Sequence, residues 1–459
     1  MKPSQAVQQR RGTDIVVTSA GVLHPAATTV AELDRVLRRG EPALRATSVP
    51  GSGGELAIPA AHLDAFDLRS WAQDHCDDLP SRRRLRRVAS RATLPVQTAC
   101  CVALSACTAA RLTSAEARDT SVVIAGNNLA LTHQSRTATA YAADPSVIRA
   151  GHLLDCFDTD ALGAVGEVTG CGGEGWPIGG SSAAGALALI HATRMVATGQ
   201  SPRCLVVAPV NDLSPVEISA FAKAGAMARI AADGDATAAC RPFDESHDGF
   251  AAAHIAAAVL IEPASQAYRR GIRPLGRILG SGTGTDGRRG TQPDTDGQIR
   301  AMRTALSDAG LAPSDIDYVN AHGTGSAIGD DSEAAALSAV FGAGEGAVTE
   351  ATAAERAVTE ATAPEEAAVE GPWINSTKAL LGHGLGAAGL VEAVATLLQL
   401  TGGYCHANPR LAKPVRADLR FVTDTITGVP LPAGLSNSFA FSGINACLVL
   451  GRTTEEDSP

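Results

Sequence analysis

The stretch "IDYVNAHGTGSAIGDDSE", Ile316 to Glu333, decides the fold. Its first residues read as a buried strand. A glycine-rich turn follows, and Asp330 and Glu333 fall where the next helix starts. His322 therefore sits directly after a strand, in a loop whose glycines let backbone approach a ligand closely. The stretch "NSTKALLGHGLGAAG", Asn375 to Gly389, repeats the arrangement: His383 comes five residues after Lys378, between glycines and ahead of an apolar helix. Two loop histidines in near-identical contexts point to one site.

Working outward, further strands are expected in "DIVVTSAGVL" from Asp14, "TSVVIAG" from Thr120, "RCLVVAPV" from Arg203, "IAAAVLIEP" from Ile255 and "NACLVLG" from Asn445. Helical periodicity covers Thr28–Arg39, Pro95–Thr113, Ser182–Gly199, Asp296–Ala309, Asp331–Val340 and Ala387–Leu400. Strands alternating with helices predict an α/β fold of largely parallel sheets covered on both faces. Two similar halves, 13–263 and 264–453, are expected to meet near Ala264–Ile272, with tails at 1–12 and 454–459. Between Gly342 and Gly371, "AVTEATA" occurs twice in an Ala/Glu/Thr-rich segment, which reads as a low-complexity surface insertion.

The chain has 459 residues, 45% hydrophobic and only 3% aromatic, so its core must rest on small side chains and close backbone approach. Of the formal charge of −10, the 342–371 segment supplies about −6, from seven Glu and one Arg. The rest is only mildly acidic. No basic face interleaved with aromatics is present to neutralise phosphates, which excludes a nucleic-acid partner. The one basic run, "SRRRLRRVASR" from Ser81 to Arg91, reads either as a solvated helix face or as a dock for an acidic carrier protein. Ten cysteines without CxxC pairs or metal-ligand spacing, and no apolar leader after Met1, fit a reduced, cytoplasmic protein with no metal. No apolar run reaches the roughly 20 residues that span a bilayer, so no membrane association is expected.

Together with "CRPFDESHDGF" (Cys240–Phe250) and "NSFAFSGINA" (Asn437–Ala446), the two histidine loops resemble the β-ketoacyl synthases, the condensing enzymes of fatty-acid and polyketide synthesis. The resemblance runs in the family's order from "VVTSAGVL" to "NACLVLG". It implies a thiolase fold: two pseudo-repeated halves forming a five-layer α-β-α-β-α sandwich, as a homodimer. It also implies an acyl carrier protein as partner, with the substrate on that protein's phosphopantetheine and no cofactor bound by the chain itself. The family's histidine motifs fall on His322 and His383. Lys378 and Glu333 match charged positions that orient this pair, or alternatively form a buried ion pair supporting the loops. Phe441 matches the gatekeeper between acyl pocket and pantetheine tunnel, and Phe439, Asn437 and Thr324 join it as expected substrate contacts.

The family's nucleophile motif, "TACxSG", departs. Laid on "GSSAAG", it puts Ser182 where the cysteine belongs and leaves Ser181 as a small packing neighbour. Cys171, eleven residues upstream, is expected to be a buried structural thiol. A thiol at a helix N-terminus ionises near neutrality and leaves easily; a serine hydroxyl needs a held base and gives an ester that resists a weak enolate. Condensation should therefore suffer. Decarboxylation of a malonyl thioester need not, because neutral imidazole N–H donors stabilise the enolate oxygen, at roughly 2.7–4 kcal/mol per donor.

Two further departures point to specialisation. Ala440, Ser442 and Ile444 replace two glycines and a threonine in the gatekeeper loop, which should stiffen it. His254 and Ile255 replace the Glu and Gly of "GFVxGEGAG", and His254 is expected to be structural, within a strand. "GEGWPIGGSSAAG" also resembles the stand-alone serine-bearing ketosynthase homologues of polyketide β-branching cassettes. That resemblance implies conversion of malonyl-carrier protein to acetyl-carrier protein and carbon dioxide. The alternatives are a serine-dependent acyltransferase, with Ser182 carrying an acyl ester, and a non-catalytic partner subunit akin to the chain-length factors.

Overall fold

β1 (Ile15–Leu23) is buried at all nine positions, which explains why its sequence shows no polar alternation: both faces of this strand are covered. In the computed structural model, which describes residues 14–51, 54–230, 234–342 and 370–453, β1 lies at the centre of a ten-stranded array. The tails at 1–12 and 454–459 and nearly all of the insertion at 342–371 lie outside the described residues.

The other strands of the array are β2 (Ser121–Ala125), β3 (Gly175–Ile178), β4 (Cys204–Ala208), β5 (Ala256–Pro263), β6 (Gly276–Thr285), β7 (Tyr318–Asn320), β8 (Trp373–Asn375), β9 (Ala433–Ala440) and β10 (Ile444–Gly451). Their spatial order is β8-β7-β9-β10-β6-β1-β5-β4-β2-β3. Read outward from the centre, one half runs 1-5-4-2-3 and the other 6-10-9-7-8, so each strand of the first half has its counterpart five strands later. Pair directions repeat as well. β2 lies parallel to β3 and β4, as β7 does to β8 and β9, while β5 and β10 run antiparallel to both neighbours. The sheets are thus mixed rather than largely parallel. The halves join where β1 and β6 share two residue pairs, Val16 with Arg277 and Val17 with Gly276.

Side-chain alternation sets the layers. Along β4, Cys204, Val206 and Ala208 enter one core while Leu205 and Val207 enter another; along β10, Ala446, Leu448 and Leu450 separate in the same way from Cys447 and Val449. Two helices face each other in the shared inner core, and the helix Val30–Arg39 adds Leu33, Val36 and Leu37 to it. Among the described residues, α1 (Leu79–Ala89), α2 (Leu94–Ala109), the neighbouring Thr159–Thr169 and the shorter Leu68–His75 cover the first half. The inner pair is α3 (Ala184–Ala197) and α6 (Ala388–Gly402), and the second half is covered by α4 (Thr295–Ala309) and α5 (Ala327–Phe341). The result is the five-layer α-β-α-β-α sandwich.

α3 and α6 pack close because glycine faces backbone. A Cβ on Gly185 would lie 2.6 Å from the Leu390 nitrogen and 3.0 Å from the Gly386 oxygen, and one on Gly389 would lie 2.8 Å from the Ala186 nitrogen. The stretch Leu385–Gly402 is apolar and long enough by composition to cross a membrane, so the expectation that no such run exists is corrected. Most of it is buried in the inner layer, and its apolarity is that of a helix packed on all sides. The helix expected from Ser182 also starts later: Ser181–Ala183 is a 3₁₀ turn, and α3 begins at Ala184. α5 begins earlier than expected, at Ala327.

Candidate active site

The two inner helices begin alike. α3 is preceded by the 3₁₀ turn Ser181–Ala183, and α6 by Leu385–Ala387. Each turn opens on a non-glycine residue with positive φ, Ser181 at +50° and Leu385 at +51°. Such conformations cost energy in L-residues and persist where surrounding packing imposes them. Both residues line a cavity of about 230 Å³, together with Ser182, His322 and His383 among others. Ser181 is exposed and lines this cavity, so it is not the packing neighbour expected.

Ser182 Oγ lies 2.9 Å from His383 Nε2. The other ring nitrogen, Nδ1, accepts the Leu385 N–H at 3.3 Å. That contact fixes the tautomer: the ring proton resides on Nε2, and the imidazole donates to Ser182 instead of taking its proton. The His383 amide donates to Ala251 O at 2.7 Å and its carbonyl accepts from Ala253 at 3.0 Å, so backbone fixes the loop on both sides. His322 stands edge-on to His383, with centroids 5.6 Å apart and planes at 83°. Burial, aided by the nearby Lys378 charge, holds both imidazoles well below the usual histidine range and keeps them neutral.

Lys378 and Glu333 act on backbone. Glu333 accepts the amides of His322 at 2.8 Å and Gly323 at 2.7 Å, and the Asn437 Nδ2 at 3.1 Å. Burial still raises its carboxyl to about 7. Lys378 Nζ donates to His322 O at 2.5 Å and forms its ion pair with Glu392, also at 2.5 Å. The alternative of a Lys378–Glu333 pair is therefore corrected: the partner is Glu392, on α6, and Lys378 stands behind the cavity wall. Asp330 completes the loop by accepting amides from Phe243, Thr324 and Gly325.

Of the expected substrate contacts, Phe441, Phe439 and Thr324 line the cavity. Phe439 packs 6.2 Å from the His322 ring, Thr324 Oγ1 pairs with Ser326 Oγ at 2.8 Å, and Phe441 is 39% exposed in the turn between β9 and β10. Asn437 does not reach the cavity. It is fully buried behind Glu333, to which its Nδ2 donates, deeper along β9 than Phe439 on the same face.

Sequence reasoning missed Phe221, Phe250 and Glu392. Phe250 packs edge-on against His383 at 5.3 Å and against Phe221 at 5.3 Å, and Phe221 lies 6.3 Å from Phe441. Glu392 was legible as the one charge in "AAGLVEAVATLLQL". Cys171 is buried with its Sγ 4.0 Å from that of Cys107 on α2. His254 lies in the link between the short strand Ala252–Ala253 and β5, not within a strand.

The sequence matches the family description "Beta-ketoacyl synthase, N-terminal domain" over residues 12–267, and "Beta-ketoacyl synthase, C-terminal domain" over 275–354 and 345–411. It is 31% identical over 375 residues to the polyketide biosynthesis malonyl-ACP decarboxylase PksF of Bacillus subtilis, spanning 81% of this chain and 82% of that protein. Among solved structures, the ishigamide ketosynthase/chain length factor superposes with a TM-score of 0.77 at 23% identity, covering 96% of this chain and 100% of that one. AntDE:AntF, a type II polyketide synthase acyl-carrier protein in complex with its ketosynthase, matches with a TM-score of 0.77 at 23% identity over 97% and 100%. With its pseudo-repeated thiolase-like fold and both family profiles matched, this chain belongs to the β-ketoacyl synthase family.

Proposed function

We propose that the protein is a malonyl-carrier-protein decarboxylase acting in polyketide biosynthesis. The observation that carries this reading is the His383–Ser182 contact. Ser182 occupies the nucleophile position, yet its neighbour offers it a proton, so the serine has no base to activate it. The neutral imidazoles are suited instead to donating toward a carbonyl oxygen. When the bond between C2 and the carboxylate of a malonyl thioester breaks, its electron pair moves into an enolate whose negative oxygen accepts from the His383 and His322 N–H groups. Carbon dioxide leaves, and a proton added at C2 gives the acetyl thioester. Phe221, Phe250, Phe439 and Phe441 surround the space with apolar surface, which favours departure of a desolvated carboxylate. Similarity to the Bacillus subtilis malonyl-ACP decarboxylase supports the same reading.

The partner on this reading is an acyl carrier protein delivering the malonyl unit on phosphopantetheine; one of the similar solved structures is a ketosynthase in complex with such a protein. The exposed Arg83 and Arg86 of α1 offer a dock for its acidic surface, whereas Arg87 is engaged by Glu167 at 2.8 Å. A homodimer is supported by the edge strand β3 and by an exposed apolar face at Tyr141, Leu153, Leu154 and Phe157. Incubation with malonyl-loaded carrier protein, followed by intact-protein mass spectrometry, tests the function: acetyl-carrier protein should form with no elongated product, and an unchanged malonyl species would overturn it.

A further inference from the structure

The chain departs from the family's nucleophile motif at two consecutive positions. Where "TACxSG" carries its cysteine this sequence has Ser182, and where the motif carries alanine it has Ser181. A hydroxyl is thus added one position before the thiol is lost. Ser181 keeps a side chain although its φ is +50°, a conformation that glycine adopts at little cost, and that side chain is exposed in the cavity. Its Oγ has no hydrogen-bond partner among the described residues. Ser182, by contrast, is held by His383 at 2.9 Å, and Thr324 and Ser326 bond each other at 2.8 Å.

A malonyl thioester brings a carboxylate into this cavity, and among the described residues no Lys or Arg lines the wall to receive it. Lys378 stands behind the wall, engaged by Glu392 and the His322 carbonyl. That arrangement suits decarboxylation. A cation would stabilise the bound carboxylate, whose charge has to leave its carbon, and would raise the barrier; a neutral hydroxyl orients the group with less of that penalty. The dimensions agree as well. The two carbonyl carbons of a malonyl unit are roughly 2.5 Å apart, and consecutive Cα atoms about 3.8 Å, so neighbouring hydroxyls suit neighbouring carbonyl groups.

We propose that the Ser181 hydroxyl binds the carboxylate of the malonyl unit and makes the site select malonyl over simple acyl groups. For its ligand this role rests on the decarboxylase reading. With the thioester oxygen at the His383 and His322 N–H groups, Ser181 donates to one carboxylate oxygen and holds that group out of the thioester plane. The electron pair of the bond between C2 and the carboxylate then passes into the enolate as the bond breaks. Ser181 keeps its proton throughout, and carbon dioxide, being uncharged, slips from the hydrogen bond.

Calorimetric titration of the full chain with the malonyl and acetyl amides of aminopantetheine, which lack the reactive thioester, reads this selectivity without turnover. Ser181→Gly removes the hydroxyl and fits the positive φ, so the turn keeps its shape. The ratio of the acetyl to the malonyl dissociation constant should fall about tenfold in this variant, the low end for a hydrogen bond to a charged group. In Ser182→Ala it should stay within threefold of the wild-type ratio. A ratio unchanged within threefold in Ser181→Gly, or an equal or larger fall in Ser182→Ala, would overturn the proposal. Selectivity that depends on Ser181, in a protein that leaves malonyl-carrier protein intact, would overturn only the decarboxylase reading. Decarboxylation with selectivity indifferent to Ser181→Gly would overturn only the role of Ser181.

Discussion

The Nε2 of His383 lies 2.9 Å from Ser182 Oγ while its Nδ1 accepts the Leu385 amide, so the histidine meets the serine as a donor. On this geometry Ser182 keeps the donor oriented until substrate arrives. Ser182→Ala should lower kcat for decarboxylation by about tenfold at most, the value of one ordinary hydrogen bond. Stopped-flow release of carbon dioxide from malonyl-carrier protein measures this. Loss of all activity would show that the hydroxyl takes part in the chemistry.

Removing the donor should cost far more. His383→Ala or His322→Ala is expected to lower kcat by about 10²- to 10³-fold, the usual effect of deleting one oxyanion-stabilising donor. Thermal unfolding of each variant separates this loss from collapse of the site. Undiminished turnover in both variants would favour a non-catalytic role for the chain.

Glu333 gives a pH signature in stability. Burial raises its carboxyl to about 7 from an ordinary value near 4.5, so the folded state binds the extra proton between these limits. Its contribution is fully present below pH 4.5 and is lost as pH rises through 7. Relative to Glu333→Gln, the wild type should therefore lose stability across that window, read as the difference in urea midpoints. The buried histidines have the opposite sign, gaining stability as pH rises toward 6.5, and cancel in the difference because both proteins retain them.

The Lys378–Glu392 pair is buried on both sides. Lys378→Met alone should destabilise the fold by about 3–5 kcal/mol, because it strands a buried carboxylate. The double replacement Lys378→Met/Glu392→Leu should recover most of that loss in denaturant titrations. Activity should not recover with it, since the His322 carbonyl still lacks its donor.

Much of the fold was legible because small residues at fixed spacing report close approach. The "GLGAAG" leading into α6 and "SSAAG" leading into α3 mark the two helices whose backbones nearly touch, and the glycines beside each histidine place His322 and His383 in loops. What could not be read were partners set by long-range packing. Nothing near Lys378 in the chain identifies Glu392 over Glu333, and Asn437 looks like a site residue until the fold buries it behind Glu333. Ser181 was misread for a similar reason: its positive φ, imposed by packing around the turn, exposes a side chain that spacing alone would bury. The mixed sheet directions were hidden because β5 and β10 are as continuously apolar as parallel strands.

The central claim is that a neutral histidine pair decarboxylates a malonyl thioester while the serine between the halves stays unacylated. A single-turnover reaction of the wild-type protein with malonyl-carrier protein, quenched and analysed by intact-protein and peptide mass spectrometry, tests it most directly. The account predicts stoichiometric acetyl-carrier protein and an unmodified Ser182 peptide. An acyl adduct on Ser182, or malonyl-carrier protein recovered unchanged, would contradict it.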